Sequence, residues 1–253
     1  MEINPKTEAG KISQFIKNTF KKQAFKKGIM AVSGGVDSAV SLMLTVKALG
    51  PENIFTLQLP YHKQSTDSSN LIIQTAGIPQ TNRLRFNIKE PVDTLAGKLK
   101  AGQDKIRLGN IMARLRMIHL YDQAKKLKCL AIGTGNKSEN VLGYFTRYGD
   151  VASDIEPIGH LYKTQVIQLA RHLDVPGSII QKPASAGLWS GQTDEQELGF
   201  SYQDADPILY LLIDKKLTPR QIIKKDFSET LVKKITRRLA AVDFKHHVPY
   251  YAH

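Results

Sequence analysis

Cysteine is nearly missing from this chain: Cys129 stands alone among 253 residues. No disulfide can form within the chain, and no thiolate-based metal site can be built from a single sulfur. Cys129 falls in the apolar run Cys129-Leu130-Ala131-Ile132 and reads as a buried strand residue. Long apolar runs are missing as well. No stretch approaches the ~18 uncharged apolar residues of a membrane-spanning helix, so no membrane association is expected. The first residues, Met-Glu-Ile-Asn-Pro-Lys, carry no apolar run of signal-peptide type, and a cytoplasmic location follows as the expectation. Acidic residues are in deficit, 23 against 36 basic ones, for a net charge of +13. That balance suits nucleic acid, small phosphate-bearing molecules, or a solvated basic surface. The run Lys21-Lys22-Gln23-Ala24-Phe25-Lys26-Lys27 reads as the last of these, a helix end before Gly28 whose cations complement the helix dipole.

What is present is an alternation of apolar strands and amphipathic helices. Ile12, Phe15, Ile16, Thr19 and Phe20 recur at spacings of three and four, which predicts a helix over 12–25. Residues 29–32 form a short apolar run bounded by glycines, the pattern of a buried parallel strand. A helix over 37–49 follows, stopped by Gly50-Pro51. Further strands are expected at 54–59, 80–86 and 129–133, and further helices at 68–76, 91–100 and, after Gly109, 110–127. Such alternation implies an α/β fold, an open parallel sheet covered by helices on both faces. Beyond Asn140, 143–157 and 182–192 read as loops, the first of them ordered or lid-like. Helices are expected at 164–173, 205–212, 219–225 and 228–242, giving a mainly helical C-terminal part with a mobile tail at 246–253. No domain boundary is evident, so 1–253 reads as a single domain.

Ligands of open parallel sheets sit at the carboxyl ends of the strands. Three motifs fall there: Ser33-Gly34-Gly35, Leu59-Pro60-Tyr61 and Gly133-Thr134-Gly135-Asn136. The first continues as Ser33-Gly34-Gly35-Val36-Asp37-Ser38, between a strand and a helix. Its glycines permit close approach of an anion, and the helix start supplies unpaired N–H groups. It lacks the Gly-Lys-Ser/Thr ending of a Walker loop and is not Gly-x-Gly-x-x-Gly. Asp37 would repel a phosphate unless a cation lay between them, and magnesium favours that donor set. Helix capping explains Asp37 or Ser38 alone but not the whole string.

The string resembles the signature of the N-type ATP pyrophosphatases, which split ATP into AMP and pyrophosphate. Later segments resemble the NAD synthetases among them. They are Gly109-Asn110-Ile111-Met112-Ala113-Arg114-Leu115-Arg116-Met117, Gly133-Thr134-Gly135-Asn136-Lys137-Ser138-Glu139, Gly143-Tyr144-Phe145-Thr146-Arg147-Tyr148-Gly149-Asp150 with Asp154-Ile155-Glu156-Pro157, Leu161-Tyr162-Lys163-Thr164, Lys182-Pro183-Ala184-Ser185 and Gly191-Gln192-Thr193-Asp194-Glu195. They occur in family order over most of the chain. The resemblance implies an adenine-nucleotide α-hydrolase-like fold and ATP-dependent amidation of deamido-NAD by ammonia through an adenylate, in a homodimer. It implies ATP contacts at Ala31, Val32, Ser33, Gly34, Gly35, Val36, Asp37, Ser38, Thr134, Lys163 and Ser185, with Asp37 and Lys163 closest to the chemistry. It implies magnesium at Asp37 and Glu139, and deamido-NAD at Arg114, Arg147, Asp154, Phe244 and Lys245.

The chain also departs from the family pattern. Arg147 replaces the usual lysine, keeping charge but changing geometry. Val151-Ala152-Ser153 replaces a Gly-Gly-Ala stretch, and only Asp67 remains of several acidic residues usual after Gln64. Phe244 stands where histidine is usual. There is no room for a glutamine-hydrolysing domain, which points to free ammonia as the nitrogen source. Two other readings of the phosphate loop stay open: tRNA modification, mildly favoured by the basic charge, and a nucleotide-binding protein without activity. No nucleic-acid partner is expected on the main reading.

Overall fold

Three short apolar runs and one alternating segment become four parallel strands. The computed structural model describes residues 1–61, 64–189, 191–247 and 249–252. Ser190 of the 182–192 loop, and Val248 and His253 of the tail, lie outside the described residues. Strands β1 (Lys27–Ala31), β2 (Ile54–Gln58), β3 (Arg83–Arg85) and β4 (Cys129–Ala131) run in the order β3-β2-β1-β4, every pair parallel. The chain steps outward from β1 to β3, then returns to add β4 on the other side of β1. The order therefore reverses between β1 and β4, the place where an open parallel sheet opens a crevice at its carboxyl ends.

Alternation along each strand sends side chains to both faces. On one face Met30 packs with helices α1 (Pro5–Lys22) and α2 (Val36–Leu49), through Ile12, Ile16, Phe20 and Val40. On the other, Ile29 and Leu57 meet Val92 of α4 (Lys89–Lys98) and Met112 of α5 (Lys105–Leu127). Each fully buried side chain of this size contributes about 1.5–3 kcal/mol by leaving water. Helix α3 (Asp67–Thr75) joins the first face through Ile72 and Ile73, and α7 (Lys163–His172) through Val166 and Leu169. A third apolar cluster lies in the C-terminal part, among α10 (Tyr202–Ile213), α11 (Pro219–Ile223) and α12 (Glu229–Val242), with Leu142 and Tyr162. The sheet covered on both faces and the helical C-terminal part are as the sequence predicts. Among the described residues no helix is long and apolar enough to cross a membrane.

Two glycines do not punctuate as expected. Gly28 lies within β1 instead of ending α1, which stops at Lys22. A Cβ at Gly28 would sit 2.5 Å from Ile132 Cδ1, so this glycine makes room for packing. Gly109 lies inside α5, which begins four residues earlier behind the Asp104 cap; a Cβ there would meet Leu188 at 2.7 Å. Helix α1 likewise begins before its periodic stretch, at Pro5, because Asn4 Oδ1 accepts from Thr7 N–H. Helices α6 (Lys137–Val141), α8 (Gly177–Ile180) and α9 (Asp194–Leu198) are too short to carry an apolar period.

Candidate active site

The turn from β1 into α2 is shaped by one glycine and two serines. Gly34 has φ +80°, and a Cβ there would lie 2.6 Å from the Ser69 backbone nitrogen, so both conformation and space demand glycine. Ser33 Oγ accepts from the Gly35 N–H at 3.2 Å and lies 3.1 Å from Ser38 Oγ; the Ser38 hydroxyl donates to Gly35 O at 2.9 Å. Gly35 caps α2 with no side chain, so nothing local covers the first N–H groups of a 14-residue helix. Those groups and the positive end of the helix dipole make an anion cradle. Ala31 and Val32 lead into it, and Val36 and Ser38 are buried beneath it.

Asp37 does not act as a cap. Its Oδ1 accepts from Asn136 Nδ2 at 2.9 Å, and its Oδ2 lies 2.5 Å from Lys163 Nζ. Asn136 follows β4 and also caps α6, taking the Glu139 N–H on Oδ1 at 2.9 Å. The reciprocal capping box turns the Glu139 carboxylate inward, 3.2 Å from Lys163 Nζ. The two strand ends at the reversal point are thus tied through one asparagine and one lysine.

Lys163 is 3% exposed. Burial alone would favour loss of its proton, but Asp37 and Glu139 outweigh that and hold it charged, its pKa above the ordinary lysine range. Burial pushes the Glu139 carboxyl up to about 8, against the pull of Lys163 and with further repulsion from Asp37 and Asp194. Asp194 is itself buried, and burial raises its pKa. Its Oδ2 takes the Tyr202 hydroxyl at 3.2 Å, while Oδ1 has no hydrogen-bond partner among the described residues. The Lys163 ammonium lies 5.3 Å from the centre of the Tyr202 ring. Three carboxyl groups share one ammonium, and their mutual repulsion adds to burial in keeping a proton on Glu139. Asp37 and Glu139 offer oxygen donors alone, and no group of three or more metal-ligating side chains occurs among the described residues. That pair fits a hard cation that keeps water or phosphate in its remaining positions.

The C-terminal helices hold this cluster from behind. The Lys163 N–H donates to Ser138 Oγ at 2.9 Å, and the Ser138 hydroxyl donates to Asp206 Oδ1 at 2.6 Å. Asp206 Oδ2 accepts from the Thr164 N–H at 2.8 Å, with the residue wholly buried. One carboxylate of α10 therefore fixes the starts of α6 and α7 together.

The remaining predicted residues fall into separate groups. Thr134 lies on the exit of β4 beside Gly135 and Asn136. Ser185 is exposed on the 182–192 loop, where its Oγ takes the Gly187 N–H at 3.0 Å. Arg114 and Arg147 come together, Arg114 Nε donating to Arg147 O at 3.3 Å. Phe244 lies against Arg147, and Lys245 Nζ donates to the carbonyls of Gly143 and Phe145. Asp154 is fixed to the sheet, its Oδ2 taking the Ala131 N–H at 2.7 Å. Sequence reasoning assigns no role to Asn136, Ser138, Asp194, Tyr202 or Asp206, which the structure places around the lysine. Asn136-x-x-Glu139 carries a readable capping signal. Asp206 has none, because its partners lie 68 and 42 residues away.

Comparison with known proteins shows the family. Residues 8–249 match the family model described as NAD synthase. The NH(3)-dependent NAD(+) synthetase of Fusobacterium nucleatum is 37% identical over 255 residues, covering 100% of this chain and 97% of the relative. The NMN synthetase of Francisella tularensis superposes with a TM-score of 0.85 at 30% identity, covering 99% of each chain. The NH3-dependent NAD synthetase of Campylobacter jejuni, solved with a nitrate ion, gives a TM-score of 0.83 at 27% identity, covering 100% of each. The sheet is thus of the adenine-nucleotide α-hydrolase-like type expected from the sequence.

Proposed function

This chain belongs to the NAD synthase family, and on that premise we propose that it amidates deamido-NAD with ammonia, using ATP, as the last step of NAD biosynthesis. The observation that carries the proposal is the crevice between β1 and β4, where an anion cradle faces a buried lysine held by two carboxylates. A match running over residues 8–249, well beyond the phosphate loop, leaves the tRNA-modifying alternative without support.

In the first step an oxygen of the nicotinate carboxylate attacks the α-phosphorus of ATP, and the bond to pyrophosphate breaks. An acyl adenylate remains. In the second step ammonia attacks the acyl carbon, AMP leaves with its electron pair, and the nitrogen loses a proton. Ser33, Gly34, Gly35, Val36, Asp37 and Ser38 cradle the phosphates, with Ala31, Val32, Thr134 and Ser185 on the nucleotide side. Lys163 offsets charge as it develops on the leaving phosphates. Asp37 and Glu139 would hold Mg2+, which supplies Lewis-acid neutralisation of phosphate oxygens when bound. Arg114, Arg147, Asp154, Phe244 and Lys245 make the deamido-NAD side. The chemistry needs positioning and charge balance, with no nucleophilic side chain. Residues 1–253 form a single synthetase domain in this reading, cytoplasmic and working as a homodimer.

The test is pyrophosphate release from ATP. The native chain should release it only when deamido-NAD is present, and Asp37→Asn should lower the rate by about 100-fold or more. Unchanged activity in that variant would remove Asp37 from the site. A second reading comes from the Francisella neighbour, an NMN synthetase, and makes the acceptor a mononucleotide. Rates with deamido-NAD and nicotinate mononucleotide, measured side by side, decide between them.

A further inference from the structure

Two positions where this chain departs from the usual family sequence touch each other. The guanidinium carbon of Arg147 lies 5.1 Å from the centre of the Phe244 ring. The ring is 47% exposed. None of the ion pairs among the described residues involves the Arg147 guanidinium. The next two residues grip the loop that carries Arg147. Lys245 Nζ donates to Gly143 O at 2.6 Å and Phe145 O at 2.8 Å, and lies 5.0 Å from the Phe145 ring centre. His246 meets Phe145 edge to face, with ring centres 5.7 Å apart. From the other side Arg114 Nε holds the Arg147 carbonyl at 3.3 Å.

A guanidinium over an aromatic ring gains cation–π attraction on its face while its N–H donors stay in its own plane. Those donors remain free for a bidentate contact with phosphate or carboxylate oxygens. A lysine over the same ring would turn part of its ammonium toward the ring, and a protonated histidine in place of Phe244 would repel either cation. The arginine and the apolar ring therefore make sense as a pair.

We propose that Phe244 and Arg147 act as one positioning unit for the anionic part of the dinucleotide. The ring holds the guanidinium flat and presents its donor edge to the substrate. Lys245 works as a staple that fastens the ring to the 143–147 loop, with two of its three N–H groups given to backbone carbonyls. Burial and the nearby Arg238 and Arg147 lower the Lys245 pKa, as expected of a cation wedged among others. The proposal rests on the reading of this side as the deamido-NAD site.

A double-mutant cycle tests it. Phe244→Ala should raise KM for deamido-NAD roughly two- to fivefold, the range of an exposed cation–π contact. KM for ATP should stay unchanged, and Phe244→Tyr should restore the native value. In the Arg147→Ala background the same Phe244→Ala change should have no further effect on KM. Equal KM increases from Phe244→Ala with and without Arg147 would overturn the unit while leaving the synthetase reading intact. A rise in the KM for ATP of the same size would also overturn it. If the native chain shows no deamido-NAD-dependent turnover, both the unit and the reading beneath it fall.

Discussion

Gly34 answers to two constraints that act on the same atom. Its φ of +80° is one that a side chain resists, and the space where a Cβ would go is filled by the Ser68–Ser69 backbone at the start of α3. Gly34→Ala should therefore lower stability by more than about 1 kcal/mol. Because the displaced backbone forms the phosphate cradle, the variant should also lose ATP-dependent pyrophosphate release more steeply than it loses thermal stability. Paired melting curves and rate measurements check this; native rates in a destabilised variant would refute the cradle. This residue is legible in sequence, since helix capping cannot account for a whole Ser-Gly-Gly-x-Asp-Ser string after a strand. Lys163 is legible through resemblance alone. Nothing in its neighbourhood, Leu161-Tyr162-Lys163-Thr164, announces that its ammonium ends 2.5 Å from a carboxylate 126 residues away.

At the scale of elements, α7 shows how one helix start is set by another layer. The first N–H groups of this helix, those of Lys163 and Thr164, go to Ser138 and Asp206 rather than to a side chain of its own cap. Burial raises the Asp206 pKa, opposed by the bonds from Ser138 and Thr164, so the carboxylate depends on those donors. Asp206→Asn leaves a single side-chain oxygen where the Thr164 N–H and the Ser138 hydroxyl each have one, so one of the two donors loses its acceptor. A buried group left unsatisfied costs about 1–3 kcal/mol, and about 2–4 °C of Tm accompanies each kcal/mol in a chain of this size. The expected outcome is a lower Tm together with a lower kcat measured well below it, since Lys163 and Glu139 follow their helix starts. A lower Tm with native kcat would mean that Asp206 holds the fold and not the site. Periodicity locates most of the longer helices and all four strands, because burial on one face writes itself into a local pattern. It misplaces the boundaries at Gly28 and Gly109, where glycine serves close packing against Ile132 and Leu188 rather than a turn. Pins such as Asp206 leave no local pattern to read.

At the scale of the whole molecule, the reversal of strand order decides where the site lies, and the burial of the one thiol bears on the nitrogen donor it can use. The reversal brings together the β1 and β4 exits, and the C-terminal helices close them from behind through Asp206 and Asp194. Glutamine hydrolysis at such a site would need an activated nucleophile, most readily a thiolate. The one thiol, Cys129, is buried in β4, and burial pushes its pKa to about 11 despite the opposing influence of Lys27. At neutral pH it stays protonated and lies within the sheet, so it is poorly suited to attack an amide. NAD formation by this chain should therefore proceed with ammonium and fail with ammonia-free glutamine as sole nitrogen source. Cys129→Ala should keep the ammonium-dependent rate, and the native thiol should resist a thiol reagent at pH 8 until the protein is unfolded. Equal rates with glutamine and ammonium from this chain alone would refute the argument, and rapid labelling of the folded protein would remove its physical basis.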